Sequence, residues 1–345
     1  MHNRLLALRC WAISSSVIRC SDVGIRNPAQ FLWKVMIGVF GANGFIGRRV
    51  VERLARSGEA VRAVSRHLDA QLVQRLSGKV DFVEASLADP IAMASSLVDV
   101  EIVVQLASTS SPGLGNKFNA ADIRDNVIPH VEFLQACVMA GVERYVFISS
   151  GGTVYGPTTA IPIREDHPTN PISSHGLTKL TIEKYIQMHG HVDGLDYVIL
   201  RLANAFGPGQ TFRKGQGLIP AILERHRKGL PVQVVGDGSA RRDYVFIDDV
   251  IEAIVSSIQA PRGQKQILNI GSGESRSVIE VLAGIEEALC QSITREHVVS
   301  RRTDVDTNQL DITRAGKVLN WRPRTRFNEG LVRMLKEDYP SFLDR

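Results

Sequence analysis

No apolar run in the chain reaches the roughly eighteen residues that a membrane-spanning helix requires, so no membrane protein is expected. Glycine at 29 and proline at 14 are near ordinary usage, which removes collagen-like and low-complexity disordered chains from consideration. Cysteine is scarce. Cys10, Cys20, Cys137 and Cys290 form no C-x-x-C pair and have no histidine grouping at zinc-ligand spacing, so no metal site is expected. They read as reduced thiols of a cytoplasmic protein. His189-Gly190-His191, the single close histidine pair, reads as a solvated loop.

A concentrated positive face is also missing. The formal charge is +5, but Arg4, Arg9, Arg19, Arg26 and Lys34 stand against Asp22 alone in the first 34 residues, and that leader carries most of the excess. Without a basic footprint on the folded part, nucleic acid is not an expected partner.

What is present is a chain of 345 residues with 44% apolar and 22% charged composition, enough for a sizeable core and about two domains. Residues 1–34 read as an unstructured leader, an upstream extension ahead of Met36; their Arg- and Ser-rich, acid-poor composition also fits a transit peptide. From Val35 onward, short apolar runs alternate with helical periodicity, the pattern of parallel strands joined by crossover helices. The runs Val35–Phe40, Ala60–Ser65, Val80–Glu84, Glu101–Leu106, Arg144–Ser149 and Tyr197–Arg201 are the expected strands, with Ile46–Ser57 and Asn126–Ala140 among the helices. The expected fold is α/β, a Rossmann-type doubly wound parallel sheet with a smaller C-terminal α/β substrate lobe. Residues 35–201 would bind a dinucleotide, with elements returning from 240–271, and 202–335 would form mainly the substrate lobe. In that second part Gly217–Lys228 predicts a helix, Val232–Val235 a strand, and Asp243–Ile247 a run before a helix capped by Asp248.

Gly41-Ala42-Asn43-Gly44-Phe45-Ile46-Gly47 follows the first strand and opens the first helix. Such glycines allow a tight turn, close approach of backbone to a pyrophosphate and close helix–strand packing, while the helix start supplies unpaired N–H groups. An NAD site usually places an acidic residue at the end of the second strand, to accept from the ribose 2′-hydroxyl. Here Ser65 and Arg66 stand there; neither repels a 2′-phosphate, so both NAD and NADP are candidate coenzymes.

Further motifs follow in order: Leu106-Ala107-Ser108; Asn126; Ser149 through Gly156, reading SSGGTVYG; Arg201 through Gln210, reading RLANAFGPGQ; Arg242 through Val250, reading RDYVFIDDV; and Asn269 through Gly273, reading NIGSG. From Val35 to about Pro323 the chain therefore resembles an extended short-chain dehydrogenase/reductase of the NAD-dependent epimerase/dehydratase group, which includes UDP-glucose 4-epimerases. The resemblance implies that Leu106, Ala107, Ser108 and Asn126 lie beside the coenzyme. It implies that Asn204, Arg242 and Arg301 contact a nucleotide sugar, a UDP-hexose, and that the chain pairs as a homodimer through the helices carrying Asn126 and Lys179.

The catalytic positions depart from the group. Its chemistry rests on a Tyr-x-x-x-Lys pair with a Ser or Thr opposite, and the register here gives His175-Gly176-Leu177-Thr178-Lys179. Helical i, i+4 spacing puts His175 and Lys179 on one face. Gly151 occupies the Ser/Thr position, and Ser150 is the nearest hydroxyl. The expected roles are His175 as base, Ser150 as its helper and Lys179 on the nicotinamide ribose. Three readings follow: a UDP-hexose 4-epimerase impaired by His175; an NADP-linked sugar or carbonyl reductase; and a dinucleotide-binding protein that has lost its chemistry.

Overall fold

The computed structural model describes residues 34–110, 119–212, 217–299 and 305–342. The expectations for the leader and for Arg301 lie outside these residues. From Val35 onward the chain forms one compact unit.

Its first half alternates strand and helix as the apolar runs predict. In chain order come β1 (Met36–Phe40), α1 (Phe45–Arg56), β2 (Ala60–Ser65), α2 (Ala70–Arg75), β3 (Val80–Glu84), α3 (Pro90–Ser95) and β4 (Val100–Gln105). Next are α4 (Asn119–Asp122), a π-helical turn (Ile123–Val127), α5 (Ile128–Met139), β5 (Arg144–Ser150), α6 (Ser174–Val192) and β6 (Asp196–Leu202). The second half holds β7 (Asn204–Phe206), α7 (Leu218–Arg227), β8 (Val232–Val235), β9 (Arg241–Phe246), α8 (Ile247–Gln259), β10 (Gln266–Ile270) and β11 (Ser275–Ser277). It continues through α9 (Val278–Leu289), β12 (Arg295–Val298), α10 (Thr313–Leu319) and α11 (Phe327–Asp338).

Seven strands build one sheet in the order β10-β6-β5-β4-β1-β2-β3. Every pairing in it is parallel. Successive strand residues face opposite sides, so each strand feeds two cores. Val39, Ala63, Val104, Val146 and Val198 join the cluster that contains Val50, Val51 and Leu54 of α1 and Ile251, Ile254 and Val255 of α8. Phe40, Val64, Val103, Phe147 and Ile199 join Phe133, Leu134 and Cys137 of α5 and Ile182 and Ile186 of α6. Burial on both faces is why these strands read as unbroken apolar runs. The direction of winding reverses between β1 and β4, and a crevice outside the strand ends opens at such a switch point.

The second half adds a three-stranded sheet, β11-β9-β7, and a two-stranded one, β12-β8. Two expectations are corrected here. The α8 N-cap position is Phe246 and makes no side-chain cap; Asp248 instead sits in the first turn and pairs with Arg333 and Arg49. His189 and His191 lie in the last turn of α6 rather than in a loop, and buried His189 holds Asp193 through Nδ1 at 2.7 Å. Among the described residues, no helix is long and apolar enough to cross a membrane.

Candidate active site

The glycine turn sits at the switch point. Gly41 has φ +89°, and a Cβ there would come within 2.7 Å of the Ala107 nitrogen, so the turn lies flush against the chain leaving β4. Gly41 N and Ala42 N both donate to Val64 O, at 2.8 and 3.1 Å. A Cβ on Gly47 would stand 2.2 Å from Gly41 O, which brings the start of α1 hard against the turn. The α1 N-cap, Gly44, offers no side-chain hydrogen bond, and the first turn holds no acidic residue. The first N–H groups of Phe45, Ile46 and Gly47 therefore have no side-chain cap, the condition an incoming anion needs.

Asn43 faces away from this role. Its amide donates to His67 O and its Oδ1 accepts from Asp69 N at 3.3 Å, tying the turn to the segment after β2. Ser65 ends β2 half-buried, and Arg66 is exposed without an ion pair to any described carboxylate. The neighbouring acids are engaged elsewhere: Asp69 caps α2 and pairs with Arg48 at 2.6 Å, and Glu84 accepts from Leu68 N at 2.9 Å.

Across the crevice, β4 ends at Gln105, one residue short of the expected Leu106, whose N–H still donates to Phe40 O at 2.9 Å. Asn126, in the π-helical turn and fully buried, gathers the following loop. Its Oδ1 accepts from Thr109 N at 2.8 Å and from Ser108 Oγ and Ser110 N at 3.2 Å each. Its Nδ2 is sealed from solvent with no partner among the described residues. Asn126 thus shapes the 108–110 loop from behind. His130, one turn on, bonds Asn126 O through Nδ1 at 2.5 Å, and its pKa is pulled down to about 4 by burial and then by Lys179.

The helix α6 starts where Ser173 accepts from Gly176 N at 3.2 Å. A Cβ on Gly176 would lie 2.7 Å from Thr153 O, so the first turn of α6 packs directly on the loop after β5. His175 and Lys179 are both buried on this helix. Lys179 Nζ donates to Ile148 O at 2.8 Å and stands 4.8 Å from the centre of the Phe147 ring. Burial brings its pKa down to about 8 against the opposing pull of Glu183. Glu183 is itself buried, accepting from Ser149 Oγ and from Arg201 at 2.7 Å. The His175 Nδ1 lies 3.0 Å from Ser110 Oγ. Burial first, and then the Lys179 charge, lowers the His175 pKa to about 3, so the ring is neutral near pH 7.

The hydroxyls need closer reading. Ser150 ends β5 half-buried, its carbonyl accepting from Thr153 N at 3.2 Å. Gly151 has no room for the hydroxyl side chain expected there: a Cβ would meet Leu310 Cδ1 at 2.6 Å and Arg201 O at 2.9 Å. Two hydroxyls absent from the sequence reading stand at the site instead. Thr153 Oγ1 is buried with no partner among the described residues, and Ser110 meets His175. Thr153 lies inside the SSGGTVYG run and was open to notice; nothing local marks Ser110.

Asn204 and Arg242 come together on paired strands, Asn204 standing opposite Tyr244. Asn204 Nδ2 donates to Asp243 O at 3.0 Å, and Arg242 Nη1 to Arg241 O at 2.8 Å. The buried Asp243 carboxylate anchors the NIGSG loop, accepting from Ser272 N at 2.7 Å and Gly273 N at 3.2 Å.

Comparison with known proteins gives consistent matches. The profile of the NAD dependent epimerase/dehydratase family matches residues 37–271. A UDP-glucose 4-epimerase of Mycolicibacterium smegmatis is 33% identical over 305 residues, covering 86% of this chain and 96% of that one. A dTDP-4-dehydro-6-deoxyglucose reductase of Escherichia coli is 32% identical over 242 residues, covering 69% and 75%. The crystal structure of Thermus thermophilus UDP-glucose 4-epimerase in complex with NAD superposes with a TM-score of 0.81 at 28% identity, covering 90% of this chain and 99% of that one.

Proposed function

The chain belongs to the NAD-dependent epimerase/dehydratase family, and from that membership we propose that it epimerises a nucleotide sugar, a UDP-hexose, at C4. The observation that carries the proposal is the contact of the glycine turn with the β4 exit at the strand-order switch point, where a Gly41 Cβ would strike Ala107. The narrow turn and the α1 start without a side-chain cap fit a dinucleotide pyrophosphate. Gly41, Gly44 and Gly47 give the backbone its close approach, with the N–H groups of Phe45 and Ile46 as donors. Asn43 holds the turn in place. Ser65 and Arg66 take the adenine ribose, while Leu106, Ala107, Ser108 and Asn126 form the wall at the nicotinamide end. Lys179 holds the nicotinamide ribose. When bound, the coenzyme supplies a reversible acceptor for the hydride of the sugar.

The remaining work falls to side chains of this chain. His175 takes the proton of the sugar hydroxyl, with Ser150 and Thr153 as candidate hydroxyl helpers. A proton on His175 is disfavoured by burial and by Lys179, so the ring gives it back readily but accepts it reluctantly. A well-matched acid/base contributes about 10²–10⁴-fold, and this mismatch removes part of that factor. Asn204, Arg242 and Arg301 are assigned to the nucleotide sugar, the arginine forks suiting its diphosphate. The chain pairs as a homodimer through α5 and α6, which expose Ile128, Met139, Leu177, Met188 and Val192. The free thiols Cys137 and Cys290 suit the reducing cytoplasm, where we place it.

A second reading, an NADP-linked sugar reductase, is favoured by one observation: no described carboxylate is free to meet a ribose 2′-hydroxyl at Ser65 and Arg66. The test is a UDP-glucose to UDP-galactose assay of the native chain and its His175→Tyr variant. Interconversion without net coenzyme consumption supports the epimerase. Stoichiometric oxidation of NADPH by a 4-keto sugar establishes the reductase. An inert native chain that gains about a hundredfold or more as His175→Tyr marks a lapsed active site, since that is the scale of a restored acid/base.

A further inference from the structure

We infer that Ser110 is a positioning residue for His175: its hydroxyl accepts a hydrogen bond from Nδ1–H and so leaves the Nε2 lone pair as the base. The inference rests on the proposed reading, in which His175 takes the place of the family tyrosine. A phenol has one oxygen and needs no partner to choose its reactive atom. A neutral imidazole carries one N–H on either of two nitrogens, and the bond made by one nitrogen decides which of them holds the lone pair. His175 is buried, and its Nδ1 lies 3.0 Å from the buried Ser110 Oγ.

The rest of the site leaves this choice to Ser110. Lys179, one turn along the same helix face, spends its ammonium on Ile148 O at 2.8 Å, and Glu183 a turn further is taken by Ser149 and Arg201. Ser110 is held from behind: its N–H reaches both Asn126 Oδ1 and Ser108 Oγ at 3.2 Å. Asn126 is in turn fixed in the π-helical turn, where its carbonyl meets His130 Nδ1. The chain of contacts therefore runs from the π-helical turn through Asn126 and the 108–110 loop to the imidazole. No described residue bonds His175 Nε2, the atom this tautomer frees for the sugar hydroxyl. With Nδ1–H donated to Ser110, proton transfer from the hydroxyl to Nε2 as hydride leaves the sugar carbon gives an imidazolium, and the Nε2–H so formed returns the proton to the keto oxygen when the hydride comes back to carbon.

Long-range proton–nitrogen NMR of the full chain labelled with ¹⁵N-histidine tests this, with the His175 signals assigned by their loss in His175→Asn. The expected result is a neutral ring protonated at Nδ1. In Ser110→Ala the population moves toward the Nε2–H form, and kcat falls by about tenfold or more with KM little changed, part of the acid/base factor being lost. Ser110→Thr, which keeps the hydroxyl, restores the native tautomer and most of kcat. An Nε2–H ring in the native chain, or a tautomer indifferent to Ser110→Ala, overturns the inference. The proposed function fails separately, if the native chain binds neither NADH nor NADPH.

Discussion

Replacing Gly47 with alanine puts a methyl group where the glycine turn has no space. The new Cβ would stand 2.2 Å from Gly41 O, whereas real Cβ contacts essentially never fall below 3.0 Å. Something must move by about 1 Å, and both sides are held. Gly41 and Ala42 are fixed by their bonds to Val64 O, and Gly41 O accepts from Gly44 N at 3.0 Å. Opposite them, α1 is anchored by buried Val50, Val51 and Leu54. Overpacking of this kind costs about 1–3 kcal/mol of stability. Displacing by about 1 Å the N–H groups that face the pyrophosphate loses the worth of a hydrogen bond to a charged group, about 1.5–3 kcal/mol, or roughly ten- to a hundredfold in binding. Gly44→Ala is the graded control. Its Cβ would meet the same oxygen at 3.2 Å, in a backbone conformation alanine adopts freely, so the loss there stays within about threefold. The assay is a fluorescence titration with NADH and NADPH, beside urea midpoints to separate binding from folding. Gly47→Ala binding as tightly as the native chain, or Gly44→Ala losing as much as Gly47→Ala, would refute the reasoning.

Two other outcomes follow from the site. His130 and His175 titrate in the fold only near 4 and 3, while in the unfolded chain they take up protons near the usual 6.5. Because their folded pKa values are depressed, their stabilising contribution is complete above pH 6.5 and is lost as pH falls from there toward 4, at up to about 1.4 kcal/mol per pH unit for each ring. Urea midpoints between pH 7.5 and 5 should fall more steeply for the native chain than for His175→Asn; parallel curves would remove His175 from the argument. Gly151→Ser, which restores a hydroxyl at the position where the family keeps one, should destabilise the chain by about 1–3 kcal/mol, because Leu310 and Arg201 O occupy the space. Leu310→Ala in the same chain should recover part of that loss.

Features that the sequence made legible share a local physical cause. Parallel strands buried on both faces read as continuous apolar runs, so β1 falls within a residue of its expected span. β2, β3 and β8 have the expected spans too, although β3 at the sheet edge and β8 are only partly buried and alternate. The glycine turn was legible because its spacing, the strand before it and the helix after it all make the same demand on the backbone. What stayed hidden depends on distant partners. The closure of Gly151 comes from Leu310, and the partner of His175 lies 65 residues away. The π-helical turn at Asn126 lies in a stretch whose periodicity predicts ordinary helix, since periodicity alone does not reveal a wider turn. The histidines of α6, one residue apart with no third ligand nearby, read as a solvated loop, whereas they lie in the last turn of α6 where Gly190 is required by packing, as a Cβ would meet the Tyr197 ring at 2.5 Å.

The central claim is that the turn after β1 and the chain leaving β4 grip a nicotinamide dinucleotide, and isothermal titration of the purified native chain measures this most directly. Saturable uptake of NADH or NADPH at one site per chain, abolished or greatly weakened by Gly47→Ala, is the predicted result. Heats indistinguishable from dilution for both coenzymes, with the chain folded and the titrant carried into the millimolar range, would contradict it.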